Sequence, residues 1–93
     1  MITIIKIKKT CSACPSQWEG ITSYNCSVYV RFRHGWLTVS VGEPNDLSEF
    51  AGVHGTEVFS DSVEGENGSD GVMSYDRLKD ITSAVIVWPE FSE

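Results

Sequence analysis

Long apolar runs are missing from these 93 residues: none exceeds five in a row, whereas a membrane-spanning helix needs about 20. Cations are scarce too, seven Lys and Arg against 13 Asp and Glu, for a net charge of −6. That deficit opposes long-range attraction to nucleic acid. The N-terminus has no basic leader before an apolar stretch and no small-residue cleavage site, so no secretory signal is expected and a cytoplasmic location is the default. Cysteine is rare and odd in number: Cys11, Cys14 and Cys26 cannot close a complete disulfide framework. Catalytic signatures are lacking as well. There is no G-x-S-x-G, no phosphate-binding P-loop and no H-E-x-x-H, and His34 and His54 stand in no recognisable motif. The expectation is a protein that binds, without enzymatic activity and without a cofactor.

What is present suits one globular domain over residues 1–93, with 41 % hydrophobic and 11 % aromatic residues. Charge is unevenly placed. Residues 1–42 carry five cations against Glu19 alone, a net +4; residues 43–93 carry two cations against twelve acids, a net −10. Such asymmetry points to partners and says nothing of fold.

Residues 2–9 alternate imperfectly, with Ile5 and Ile7 on one face and Lys6 and Lys8 on the other. This predicts a strand at a sheet edge, where lysines discourage strand addition. Thr10–Ser16 reads as a turn, Gln17–Thr22 as a short strand with a bend or bulge at Gly20, and Ser23–Asn25 as a connection. Ser27–Val41 is the clearest element. A two-residue turn at His34-Gly35 pairs Arg33 with Trp36, Phe32 with Leu37, Val30 with Val39 and Val28 with Val41. A slip of one residue would destroy every apolar match, so the hairpin register is well specified. Its second face bears Tyr29, Arg31, Arg33 and Trp36. Asp46 can cap a short helix, Glu57–Phe59 reads as a short strand, and Glu64–Gly71 reads as a mobile acidic loop. Ser74 is a good N-cap for a helix bearing the stripe Tyr75, Leu78, Ile81 and Thr82. Ala84–Trp88 reads as a buried last strand stopped by Pro89. The fold class expected is α+β: an antiparallel or mixed sheet of four to five strands with one main helix on one face.

Candidate chemistry is thin. Cys11, Cys14, Cys26 and His34 are zinc-ligand types, but only one close-spaced pair is present and the fourth ligand sits on a hairpin tip. A zinc-stabilised accessory domain is a lesser alternative, and no metal is expected. Acids near Glu64–Asp70 lack the alternating ligand pattern of a calcium loop. The Tyr29/Arg31/Arg33/Trp36 face can stack bases and meet phosphates, or satisfy itself with Arg33 over Trp36 as a cation–π pair. The acidic half can present a phosphate-like array to a basic groove. Its working residues are expected on ordered elements: Glu43, Asp46, Glu49, Glu57, Asp76 and Asp80.

The run Ala13-Cys14-Pro15-Ser16-Gln17-Trp18-Glu19-Gly20, with Tyr29-x-Arg31-x-Arg33-x-Gly35-x-Leu37, resembles a loose set of small bacterial and phage proteins. The similarity extends to Ser74-Tyr75-Asp76-x-Leu78. Those proteins imply no settled activity, so no functional residue carries over. In size, acidity and lack of catalytic motifs the chain also resembles phage anti-CRISPR proteins. What that resemblance implies is an inhibitor that binds a basic surface of a host nucleic-acid-binding complex, such as a CRISPR–Cas effector, as a partial DNA mimic. A module using the Tyr/Arg/Trp face on nucleic acid is the alternative.

Overall fold

The computed structural model describes residues 1–11, 16–44 and 55–92. Strands β1 (Ile2–Cys11), β2 (Ser16–Thr22), β3 (Cys26–Arg33), β4 (Trp36–Pro44), β5 (Thr56–Ser62) and β6 (Ile86–Val87) form one sheet in the order β5-β4-β3-β2-β1-β6. The first four neighbours pair antiparallel, and β6 pairs parallel to β1. One α-helix, α1 (Tyr75–Thr82), completes an α+β fold. The sheet is mixed and has six strands rather than the four or five expected.

The hairpin has the register read from the sequence: Arg33 opposes Trp36, Phe32 Leu37, Val30 Val39 and Val28 Val41. His34 and Gly35 take φ of 54° and 72°, the left-handed pair that lets a two-residue turn follow the strand twist. Val28, Val30, Phe32, Leu37 and Val39 lie fully buried on the inner face, joined by Trp18 of β2 and by Leu78 of α1. Tyr29, Arg31, Arg33, Trp36 and Thr38 take the outer face.

Three expectations need correction. In β1 the buried residues are Ile4 and Ile7, while Ile5 is 61 % exposed. A register shift between Ile4 and Lys6 inserts Ile5 as a bulge, so simple alternation fails there. The edge position holds in part: β6 covers Ile2 and Thr3, while among the described residues no strand pairs with the Lys6–Lys8 stretch on the side away from β2. Gly20 lies opposite Ile7, just past the bulge, and a Cβ there would collide with the Lys6 carbonyl. The final strand is only two residues long. Ile86 is buried, but Val85 and Val87 are exposed, because a strand at the rim of the sheet buries one face only.

The third correction concerns the acidic loop, which is a hydrogen-bonded clasp. Val63 N–H donates to the Gly35 carbonyl (2.9 Å) and Gly35 N–H to the Asp70 carbonyl (2.7 Å), gripping the hairpin tip. Glu66 N–H donates to Val72 (2.8 Å) and Gly65 N–H to Ser69 (3.0 Å), closing the loop on itself around a 3-10 turn at Glu66–Gly68. The chain then docks under β2: Ser16 N–H donates to Gly71 (2.9 Å), and Met73 N–H to the buried Ser16 hydroxyl (3.0 Å). Composition marks this stretch as loop, but its backbone donors find acceptors that lie far away in sequence.

Helix α1 begins where expected. The Ser74 hydroxyl accepts from Arg77 N–H (3.2 Å), the N-cap geometry, and Asp76 sits in the first turn. Leu78 and Thr82 are buried. Residues 88–90 are tied to the helix: Trp88 Nε1–H donates to Thr82 Oγ1 (2.7 Å) and Tyr75 O–H to the Pro89 carbonyl (2.6 Å). Burial first, and then the Asp76 carboxylate, push the Tyr75 hydroxyl up to about 12.

Candidate binding surfaces

Sheet pairing decides which charges of the two halves of the sequence share a face. On the outer face, Lys8 opposes Glu19, which opposes Tyr29, then Ser40, then Glu57. The next row runs Cys11, Gln17, Arg31 and Thr38 to Ser60, and the tip row Arg33, Trp36 and Ser62. The face therefore gathers Lys6, Lys8, Arg31 and Arg33. Gln17 Nε2 donates to the Tyr29 hydroxyl (2.8 Å), linking β2 to β3 on this face. Toward the other end of the face, Ser27 and Ser40 are buried.

Near the hairpin tip this face forms a shallow, open concavity of about 360 Å³ lined by Arg31, Arg33, His34, Trp36 and Thr38. Trp36 is 49 % exposed, and its Nε1–H donates to Ser60 Oγ on β5 (2.8 Å). The expected Arg33–Trp36 cation–π pair is not formed. Among the described residues the cation–ring contacts are Lys9 over Trp18 (4.9 Å) and Lys79 over Tyr75 (4.8 Å). Trp36 is instead anchored at its polar edge by the neighbouring strand. Among the described residues neither Arg31 nor Arg33 has a carboxylate partner, and the Arg31 Nε–H is buried without an acceptor. A buried donor left unpaired is uncommon in folded proteins.

Glu19 and Glu57 share this face, whereas Asp61, opposite Leu37, has the register of the inner one, and the remaining described acids lie on other elements. Glu57 and Asp61 are on β5, the edge strand; Glu64, Glu66 and Asp70 are on the clasp; Asp76 and Asp80 are on α1; all are exposed. Of the six acids expected to act, Asp46 and Glu49 lie outside the described residues. Glu43, at the end of β4, and Glu57 are exposed on neighbouring strands, while Asp76 and Asp80 stand apart on the helix. Asp76 pairs with Lys79 (3.5 Å). The clasp acids, set aside on composition as mobile, are held on bonded backbone. Glu66 goes further: hydrogen bonding to the Ser74 side chain first, and then to the Ser74 N–H, from which its Oε1 accepts (3.2 Å), holds its carboxyl below the usual carboxylate range.

The zinc-type residues do not converge. Cys26 opens β3 opposite Pro44, whereas His34 follows the far end of the same strand. Eight strand residues span roughly 26 Å, far beyond the reach of one ion. Cys14 lies outside the described residues. Among the described residues no group of three His, Cys, Asp or Glu side chains is placed to hold a metal. No helix described is long and apolar enough to cross a membrane.

No family model, no curated protein and no solved structure matches the chain.

Proposed function

We propose that this protein works by binding, and that its acidic side engages a basic surface on a nucleic-acid-handling complex and inhibits it. An anti-CRISPR protein acting as a partial DNA mimic, in the cytoplasm of a host cell, is the concrete form of this reading. The observation that carries it is the preorganised acidity of residues 56–82. Their carboxylates are exposed on bonded backbone, and among the described residues only Asp76 is neutralised by an ion pair. Carboxylates already held in place lose little entropy on docking and steer association with a cationic groove. Within this proposal the ranking of the acids differs from the one expected. Glu57 and Asp61 on the edge strand lead, with Glu43, Asp80 and the clasp acids Glu64 and Asp70 behind them; Asp76 is weakened by Lys79.

The test is capture from a host lysate with the wild-type chain and with the double variant Glu57→Lys, Asp61→Lys. Wild type is expected to retain a nucleic-acid-binding complex at low salt, to lose it as salt screens the contact, and the double variant to lose it throughout. Capture that is insensitive to both salt and charge reversal refutes the proposal. So does retardation of free DNA or RNA by the protein at physiological salt.

A second reading, binding through the outer sheet face, is favoured by the concavity between Arg31, Arg33 and Trp36.

A further inference from the structure

We propose that this concavity is a binding site for a free nucleoside monophosphate, with the phosphate held by Arg31 and Arg33 and the base stacked on Trp36. The site does not depend on the acids proposed above, although Glu57 lies on the same sheet face.

Three features select the ligand. First, Arg31 and Arg33 stand two residues apart on one strand, so both guanidiniums emerge on the same face. Neither is neutralised by a carboxylate among the described residues. Guanidinium forks match the oxygens of a phosphate better than any other side chain does. Second, the indole of Trp36 is half exposed, yet it is fixed through Ser60, so a flat surface is offered without an ordering cost. Planar bases stack on such rings. Third, at about 360 Å³ the concavity lies at the small end of ligand pockets, which run roughly 300–1,000 Å³.

The surroundings argue for a single unit rather than a strand. Asp70 belongs to the clasp at the hairpin tip, Glu57 and Asp61 line the adjacent edge strand, and the whole chain carries −6. A polymer leaving the pocket would add phosphates that these acids and the net negative charge repel.

The experiment is an NMR titration of ¹⁵N-labelled protein, which has three tryptophans and therefore three indole N–H signals. Trp36→Phe assigns the relevant one. Adenosine 5′-monophosphate is expected to shift the Trp36 signal saturably, with Kd in the range of about 0.1–1 mM, and to leave Trp18 and Trp88 in place. Inorganic phosphate alone is expected to bind at least about tenfold more weakly, having nothing to stack. Arg33→Ala, at an exposed position, is expected to keep the wild-type melting temperature and weaken the nucleotide about tenfold; Arg33→Lys falls between, keeping charge but losing the fork. Ser60→Ala frees the indole and is expected to weaken the nucleotide but not phosphate.

The proposal is overturned by any of four results. These are no saturable shift up to about 10 mM, phosphate binding as tightly as the nucleotide, an oligoadenylate binding more tightly per nucleotide than the monomer, or unchanged affinity in Arg33→Ala. Reversal of Glu57 and Asp61 is expected to leave nucleotide binding intact or strengthen it, so the two readings fail separately.

Discussion

Adding one methyl group at Gly65 is expected to destabilise the fold by about 2–4 kcal/mol. Gly65 has φ −89°, which alanine adopts freely, so backbone strain is not the reason. The reason is space. A Cβ at Gly65 would collide with the Val72 carbonyl and sit 2.6 Å from Cε2 of Phe32, one of the fully buried side chains of the core. The Val72 carbonyl is also the acceptor for Glu66 N–H at 2.8 Å. The methyl must therefore push the clasp open or displace a core ring. Overpacking costs about 1–3 kcal/mol and the lost hydrogen bond about 0.5–1.5 kcal/mol. A domain of this size holds only about 5–15 kcal/mol in total, and each kcal/mol moves its melting point by about 4–8 °C, so a fall of about 8–30 °C follows. Thermal and urea denaturation measure it directly. The sign is what decides. In a truly mobile loop, Gly→Ala stiffens the unfolded chain and stabilises by about 0.4–1 kcal/mol. An unchanged or raised melting point would show that the clasp does not hold the hairpin tip. Gly68 is the internal control: it has φ +76° and open space, so Gly68→Asn is expected to change little.

The hairpin faces are tested by Val30→Ala, which empties a fully buried position between Trp18 and Val39 and is expected to cost about 2–3 kcal/mol; Thr38→Ala on the outer face should cost under about 0.5 kcal/mol. Equal losses in denaturation would refute the assignment. Because hydrogen bonds to the Ser74 side chain and then its N–H hold the Glu66 carboxyl below its ordinary value of 4.5, its contribution is present above that pH and is lost as pH falls through the lowered value. Glu66→Gln is therefore expected to flatten the acid limb of the stability curve, and an unchanged limb would remove Glu66 from the linkage. Tyr75 is expected to ionise near pH 12 in an absorbance titration of the folded protein. Its raised value means stability holds below pH 10 and is lost between 10 and 12, as the unfolded chain deprotonates first. Tyr75→Phe is expected to soften that alkaline loss.

Part of this fold is readable without coordinates, and the readable part has a common cause. The β3–β4 register follows from alternation on both strands about one turn, and α1 from a serine cap followed by residues at helical spacing. In both cases the partners are close in sequence, so a pattern of neighbours carries the information. What lay beyond the sequence depends on partners tens of residues apart. The bulge at Ile5 reverses its side chain because of how β1 meets β2. The clasp is ordered because Gly35, Ser16 and Phe32 supply acceptors and packing to residues 63–73. The parallel pairing of β6 with β1 joins the two ends of the chain. Trp36 turns to Ser60 rather than to Arg33, and among the described residues no carboxylate pairs with either arginine. Local periodicity records which face a residue takes. Which distant group satisfies a given donor, and which cation is left free, is decided only when the strands close on one another.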